Sequence, residues 1–335
     1  MDKITSFVQK SDTNAIAVAV FGAIGAAVIA FKALRFLKVL VDVFVRPGIN
    51  LKKYGAGNGG WAVITGASDG IGKEFASQLA AKRLNVVLVS RTESKLKALA
   101  EEIEQKYSVE TKVLAMDFTK GDERDYAALQ LLISPIEVTI LVNNVGTNHE
   151  IPTFFEDESD KTVDNIIEVN VNAIMRVTKL VVPQMAARKN GLIINLGSFA
   201  GLVPTPLLSV YSGSKAFLSS WSQAIGAELA PKGIRVQNVN TYFVVSAMSK
   251  IRRPSMTAPL PEAYVRAVLS KIGVSGGAST PYTSTPFYSH AIANWLIENV
   301  FSRSFWVGYN YDLHVDIRKR ALRKREREAA AAKKD

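Results

Sequence analysis

Tyr211 and Lys215 stand four residues apart in the stretch SVYSGSKAFLSSW. On a helix that spacing puts the phenol and the ammonium on one face. A free phenol has a pKa of about 10, too high to trade protons readily near neutrality. A nearby cation favours the phenolate and brings that value down. The pair therefore reads as a general acid or base tuned toward pH 7. Taken in isolation, it reads more readily as a surface tyrosine beside a surface lysine.

Other chemistry is limited by composition. The 335 residues include no cysteine, which excludes disulfides, thiol nucleophiles and cysteine-based zinc sites. The three histidines, His149, His290 and His314, lack the spacing of metal ligands, so no metal site is expected. A second candidate for chemistry is TGASDGIG, with Thr65, Gly66, Gly70 and Gly72. Glycines between a strand and a helix let a pyrophosphate approach the helix amino terminus. A P-loop is excluded twice: five residues separate Gly66 from Gly72, and Lys73 is followed by Glu74 rather than Ser or Thr. Further on, VLVSRTESKL carries Ser90 and Arg91 where an NAD site wants an acid for the ribose hydroxyls. A guanidinium in that slot suits a 2′-phosphate, hence NADP over NAD.

These residues need elements to position them. From Gly60 onward, short apolar runs alternate with helical patterns: WAVIT, NVVLVS, TKVLAMD, VTILVNN, GLIINLGS and IRVQNVN are the expected strands. Nearly all-apolar strands are buried on both faces. Their alternation with helices predicts an α/β fold, a Rossmann-type doubly wound parallel sheet. Ligands of such sheets lie at the carboxyl ends of the strands.

The set as a whole resembles the short-chain dehydrogenase/reductase family. The matching motifs are TGxxxGxG at Thr65–Gly72, Asp117, NNVG at Asn143–Gly146, Asn170 in EVNVNA, Ser198, and Tyr211 with Lys215. The resemblance covers about Gly60 to Met248. Two departures stand out: Val145 replaces the usual Ala, and Thr241-Tyr242 replaces a Pro-Gly after the sixth strand. The resemblance implies a catalytic set of Asn170, Ser198, Tyr211 and Lys215. It implies that Tyr211 gives a proton to the substrate carbonyl, Lys215 lowers the phenol pKa and binds ribose, Ser198 orients the substrate oxygen, and Asn170 holds a relay water. It implies NADPH/NADP contacts from Thr65, Gly66, Ser68, Gly70, Ile71, Gly72, Ser90, Arg91, Asp117, Asn144, Tyr211, Lys215, Val244 and Ser246. YFVVSAM and the closing FWVGYNYDLHVDIRKRALRK are similar to the branch that reduces very-long-chain 3-oxoacyl-CoA in fungal microsomal fatty-acid elongation. That implies a 3-oxoacyl-CoA substrate, and other elongation enzymes as candidate partners. The alternatives are a membrane-bound steroid or retinoid dehydrogenase and a catalytically idle NADP-binding scaffold.

The flanks point to a membrane. Ala15 to Phe31 carries no charge. Its length of about 25 Å approaches a hydrocarbon core of about 30 Å, and flanking lysine and arginine can snorkel. Lys32, Arg35, Lys38, Asp42 and Arg46 then fall on one arc of a second, interfacial helix that ends at Pro47-Gly48. Excess basic residues after the span place the following domain in the cytosol, and the resemblance makes the membrane that of the endoplasmic reticulum. The expected organisation is an anchor at 1–50, a dehydrogenase domain at 51–316 with a substrate-lid insertion at about 249–305, and a solvated basic tail at 317–335. More than half of the formal charge of +11 lies in that tail, with nine Lys/Arg against three Asp/Glu from Ile317 on. No aromatic residue interleaves it, so anionic lipid fits better than nucleic acid. Arg252 and Arg253 in KIRRP read as a solvated loop or as a seat for coenzyme A phosphates. The terminal KKD is similar to a dilysine retrieval signal, with its lysines out of the preferred positions.

Overall fold

The computed structural model describes residues 2–332, and side chains from residue 15 onward; the terminal KKD lies outside the described residues. A long helix, α1 (Asp2–Leu40), leads through a π-turn at Val41–Val45 into the α/β body. The body runs β1 (Trp61–Thr65), α2 (Gly70–Ala81), β2 (Asn85–Ser90), α3 (Glu93–Tyr107), β3 (Thr111–Ala115), α4 (Glu123–Ile133) and β4 (Val138–Asn143). It continues with α5 (Asp160–Ile167), a π-turn at Glu168–Asn172, α6 (Ala173–Arg188), β5 (Gly191–Leu196), α7 (Phe199–Leu202), α8 (Ser209–Leu229) and β6 (Ile234–Val239). The closing elements are α9 (Pro261–Ser270), β7 (Thr283–Ser284), α10 (Tyr288–Asn299) and α11 (Arg303–Ala331).

All seven strands are parallel, in the order β3-β2-β1-β4-β5-β6-β7. The chain leaves β1 first to one side and then to the other, which opens a crevice over the carboxyl ends of β1 and β4. Period-two alternation divides the strand side chains between two cores. Ile64, Leu88, Val142 and Ile194 pack with Phe75, Leu79, Leu96 and Ile103 of α2 and α3. Val63, Val87, Leu141 and Ile193 pack with Leu129, Val177 and Val181 of α4 and α6. Burial on both faces explains why these strands are almost wholly apolar.

The six expected strands are present, and the fold class is the expected one. The lid expected at 249–305 is different. Tyr264, Val265 and Val268 of α9 are fully buried in the first core, and β7 is the seventh strand of the sheet. Much of this segment is body rather than cover, because α9 presents an apolar stripe at helical spacing to α2. The amino-terminal region also differs: α1 is continuous through Leu40, with no break between span and interfacial segment. Its polar arc is tied to the body at Lys32 and Asp42, while Lys32, Lys38 and Arg46 stay exposed. Lys32 Nζ donates to the Asn299 carbonyl at 2.6 Å, and buried Asp42 accepts from Lys38 at 2.8 Å and from the Ser275 hydroxyl at 2.9 Å. Leu34, Leu37, Val41, Phe44 and Val45 face outward. The basic segment from Ile317 continues α11 without a break, and Arg318 donates to the Pro152 carbonyl at 2.9 Å. The boundary at 317 therefore runs through the middle of a helix.

Candidate active site

The crevice deepens into a cavity of about 760 Å³. At one end it is bounded by Gly66, Ser68, Gly70 and Ile71, with Ser90, Arg91, Asp117 and Asn144 beside them. Backbone geometry makes this end possible. Gly66 (φ +66°) and Gly70 (φ +54°) occupy the left-handed region, where a side chain would strain the turn. The Asp69 carboxylate accepts from Gly70 N at 2.7 Å and caps α2. The first-turn N–H groups of α2 then lie at the cavity wall, a favourable seat for a phosphate. Ser90 Oγ is buried without a hydrogen-bond partner, and exposed Arg91 borders the same space. An orphaned hydroxyl beside an exposed guanidinium fits a phosphorylated ribose.

Ser198, Tyr211 and Lys215 line the middle of the cavity. Tyr211 and Lys215 sit in the first two turns of α8, one turn apart, with Lys215 Nζ 5.8 Å from the phenol ring centre. Ser198 caps α7, its hydroxyl accepting from Ala200 N at 3.1 Å. A Cβ on Gly201 would lie 2.6 Å from the Lys215 backbone, so α7 and α8 touch where a glycine permits it. That contact brings the Ser198 and Tyr211 hydroxyls within hydrogen-bonding reach of each other. Helix α8 is in turn tied to the sheet: buried Asn143 donates to Asn195 at 2.9 Å, and Asn195 to Ser222 at 2.8 Å.

The electrostatics differ from the sequence-based expectation. Burial pushes the Tyr211 phenol above its ordinary value of 10.0, and the Ser198 hydrogen bond only partly offsets this. Burial also lowers Lys215 to about 8. The ammonium donates to the Leu196 carbonyl at 2.8 Å and stands 5.8 Å from the phenol ring centre. Desolvation wins over the cation here, so Tyr211 stays protonated at neutral pH. A protonated phenol is the form that can give a proton to a carbonyl oxygen.

Three expected site residues take supporting places. Thr65 is fully buried, and its hydroxyl accepts from Asn144 N and Val145 N at 3.1 Å, clipping β1 to β4. Gly72 is buried, and a Cβ there would stand 2.1 Å from the Gly66 carbonyl, so this glycine serves helix–turn packing. Asn170 lies in the π-turn, a common device at functional sites. Its amide donates to the Thr147 carbonyl at 2.9 Å and to Ser214 Oγ at 3.0 Å, and its oxygen accepts from Thr147 N at 2.8 Å. Both amide hydrogens are thus spent inside the protein, so Asn170 positions the loop after β4. Asn144 lines the cavity while its amide is fastened to the Thr65 and Gly66 carbonyls. Val244 and Ser246 line the cavity as expected, and exposed Arg252 and Arg253 do not.

The far end of the cavity was not expected from motifs. It is walled by Leu296 and Ile297 of α10 and by Trp306, Tyr309 and Leu313 of α11. The spacing 306, 309, 313 is a helical stripe legible in the sequence, but it runs directly into the strongly charged segment from Asp316 on.

A conserved-order glycine turn, a Ser-Tyr-Lys set and a doubly wound parallel sheet define a nicotinamide-dependent oxidoreductase, and residues 60–257 match the model of the short chain dehydrogenase family. The chain belongs to that family. It is 50% identical over 308 residues to the very-long-chain 3-oxoacyl-CoA reductase of Coprinopsis cinerea, covering 90% of this chain and 91% of that one. Among solved structures it is similar to a short-chain dehydrogenase from Sphingobium yanoikuyae in complex with NADPH, with TM-score 0.61, 27% identity, and 77% and 96% of the two chains covered. It is also similar to the 3-ketoacyl-(acyl-carrier-protein) reductase of Brucella melitensis complexed with NADH, with TM-score 0.58, 28% identity, and 68% and 96% covered.

Proposed function

We propose that this chain reduces very-long-chain 3-oxoacyl-CoA to 3-hydroxyacyl-CoA with NADPH, in the elongation of fatty acids at the endoplasmic reticulum membrane. The single observation that carries the reading is the full-length likeness to a reductase of that name, with Ser198, Tyr211 and Lys215 gathered in one cavity. The bound nicotinamide nucleotide supplies the hydride. The residues that would hold it are Gly66, Ser68, Gly70 and Ile71 for the pyrophosphate, Ser90 and Arg91 for the 2′-phosphate, Asp117 and Asn144 nearby, and Lys215, Val244 and Ser246 toward the nicotinamide. The unpartnered Ser90 hydroxyl and the exposed Arg91 side chain favour NADPH over NADH.

Ser198 Oγ, accepting from Ala200 N, turns its hydrogen from Tyr211 to the substrate oxygen and orients the carbonyl. Tyr211 Oη then gives its proton to that oxygen. Transfer to a developing alkoxide is downhill even for a phenol held above 10.0 by burial. Lys215, kept near Tyr211 by the Leu196 carbonyl, offers its remaining N–H donors to the open cavity. The apolar helix Ala15–Val45 is long enough to cross a membrane. We take it as the anchor, with the dehydrogenase domain in the cytosol.

The test is NADPH oxidation by the full-length protein with a long-chain 3-oxoacyl-CoA, a steroid ketone and a retinaldehyde. The reading expects 3-oxoacyl-CoA to be preferred by about tenfold or more in kcat/KM. Reduction of the steroid or the retinoid alone would replace it with the corresponding dehydrogenase. No turnover with any of them, beside intact NADPH binding, would leave a scaffold.

A further inference from the structure

The apolar end of the cavity reaches the surface between α10 and α11. Leu296 and Tyr309 line the cavity and are also 39% and 51% exposed, so they form its mouth between α10 and α11. The walls behind them, Ala293, Ile297, Trp306 and Leu313, lead inward toward Ser198 and Tyr211. These wall residues lie outside the family match at 60–257.

The position of the mouth is fixed by α1. Phe36 packs on Trp295 of α10 with ring centres 4.9 Å apart, and Val39 and Val43 pack on Ala291. Lys32, the first charge after the uncharged Ala15–Phe31 span, binds the last carbonyl of α10. The corner between α10 and α11 is therefore held at the end of the apolar span. At that corner Phe301 and Phe305 stack at 4.4 Å, with Trp306 edge-on to both. Phe301 and Phe305 remain 50% and 46% exposed, and Val300 beside them is also exposed. Exposed apolar aromatics beside an apolar helix, with Trp306 and Tyr309 next to them, suit the boundary between lipid and water.

We propose that this corner is seated in the bilayer and that the slot behind Leu296 and Tyr309 holds the hydrocarbon chain of the substrate, admitted sideways from the lipid. The occupant is a long acyl chain, which follows from the reading of the chain as an acyl-CoA reductase. The wall offers such a chain apolar contact along its length, and each CH₂ kept from water favours that path. The thioester head reaches Ser198 and Tyr211 from the slot's inner end. The chain need never cross water.

The test uses the full-length protein in phosphatidylcholine vesicles, saturated with NADP. A long-chain 3-hydroxyacyl-CoA carrying a diazirine midway along its acyl chain is irradiated there, and labelled peptides are identified by mass spectrometry. The slot predicts label on Tyr288–Asn299 and on the first half of α11. Label confined to the loop 245–258, to the outer face of α1, or absent would overturn it. A second arm narrows the mouth. Leu296→Trp should lower the ratio of kcat/KM for a long over a short 3-oxoacyl-CoA by about tenfold or more, while Leu296→Ala keeps that ratio within about threefold. An unchanged ratio in Leu296→Trp would also overturn the slot. Failure of the wild-type protein to reduce even the short substrate would instead sink the reductase reading, and the labelling would still decide the slot.

Discussion

The two ends of the cavity are built from different materials. The end over β1 and β4 is made of backbone: Gly66 and Gly70 in left-handed conformations, the first N–H groups of α2, and Gly72 pressed against the Gly66 carbonyl. The end between α10 and α11 is made of side chains, Leu296, Ile297, Trp306, Tyr309 and Leu313. A backbone site tolerates few residue types, since a single Cβ destroys it. A side-chain wall tolerates many, provided volume and apolarity are kept. The first therefore carries a recognisable motif and a common cofactor, and the second is free to carry specificity.

Variants can break this division in order of size. The largest effect belongs to the chemistry between the two ends. Tyr211→Phe should lower turnover about 10²-fold or more while cofactor binding persists, because the general acid is lost and the nucleotide end is untouched. Stopped assays with short and long substrates should show the same factor for both. A loss confined to long chains would place Tyr211 in the wrong half.

At the backbone end, Gly72→Ala forces a Cβ against the Gly66 carbonyl and Asn144. It should cost about 1–3 kcal/mol of stability, as overpacking does, and weaken both nicotinamide nucleotides together. Thermal unfolding and nucleotide titration would check this; wild-type values for both would show that the turn can relax. Arg91→Ala should do less. It should weaken NADPH about tenfold and NADH hardly at all, because only NADPH carries the 2′-phosphate. Equal weakening of the two would show that Arg91 does not read the phosphate.

The smallest effect is a pH dependence. Lys215 is held at about 8 by burial, against an ordinary 10.5. If its charge serves the reaction, kcat/KM of the free enzyme falls as pH rises through about 8. Stability moves the other way. Between about 8 and 10.5 the unfolded lysine holds its proton and the folded one does not, so this group's contribution grows with pH across that window. A pH–rate profile flat to pH 10 would remove Lys215's charge from the mechanism.

How much could be read from sequence follows the same division. Strands β1 to β6, Gly66 and the Tyr211–Lys215 pair were legible in periodicity and spacing, and Ser198 only through the family resemblance. Thr65, Gly72 and Asn170 were found as motif members, but their burial shows that they hold the site rather than line it. Motif spacing says which residues recur together and not which of them face the cavity. Strand β7 has only two residues and leaves no pattern. The segment 249–305 read as a lid because it stands where the family usually has a short loop. Yet Tyr264, Val265, Val268 and Leu269 already form an apolar stripe at helical spacing, and the structure buries them. The charge on α11 pointed to a solvated tail, although Arg318 ties the helix to the loop 150–157 and buried His314 faces the cavity. Tuning of the phenol was also misjudged, since the spacing of Tyr211 and Lys215 reveals proximity but not desolvation.

The central claim is that the residues between the two ends reduce a carbonyl and leave the thioester intact. A single turnover tests it most directly. The full-length protein, loaded with one equivalent of NADPH in vesicles, is mixed with a 3-oxoacyl-CoA and quenched, and the products are weighed by mass spectrometry. The prediction is one 3-hydroxyacyl-CoA formed for each NADPH consumed. Unconsumed NADPH beside free coenzyme A and a 3-oxo acid would contradict it.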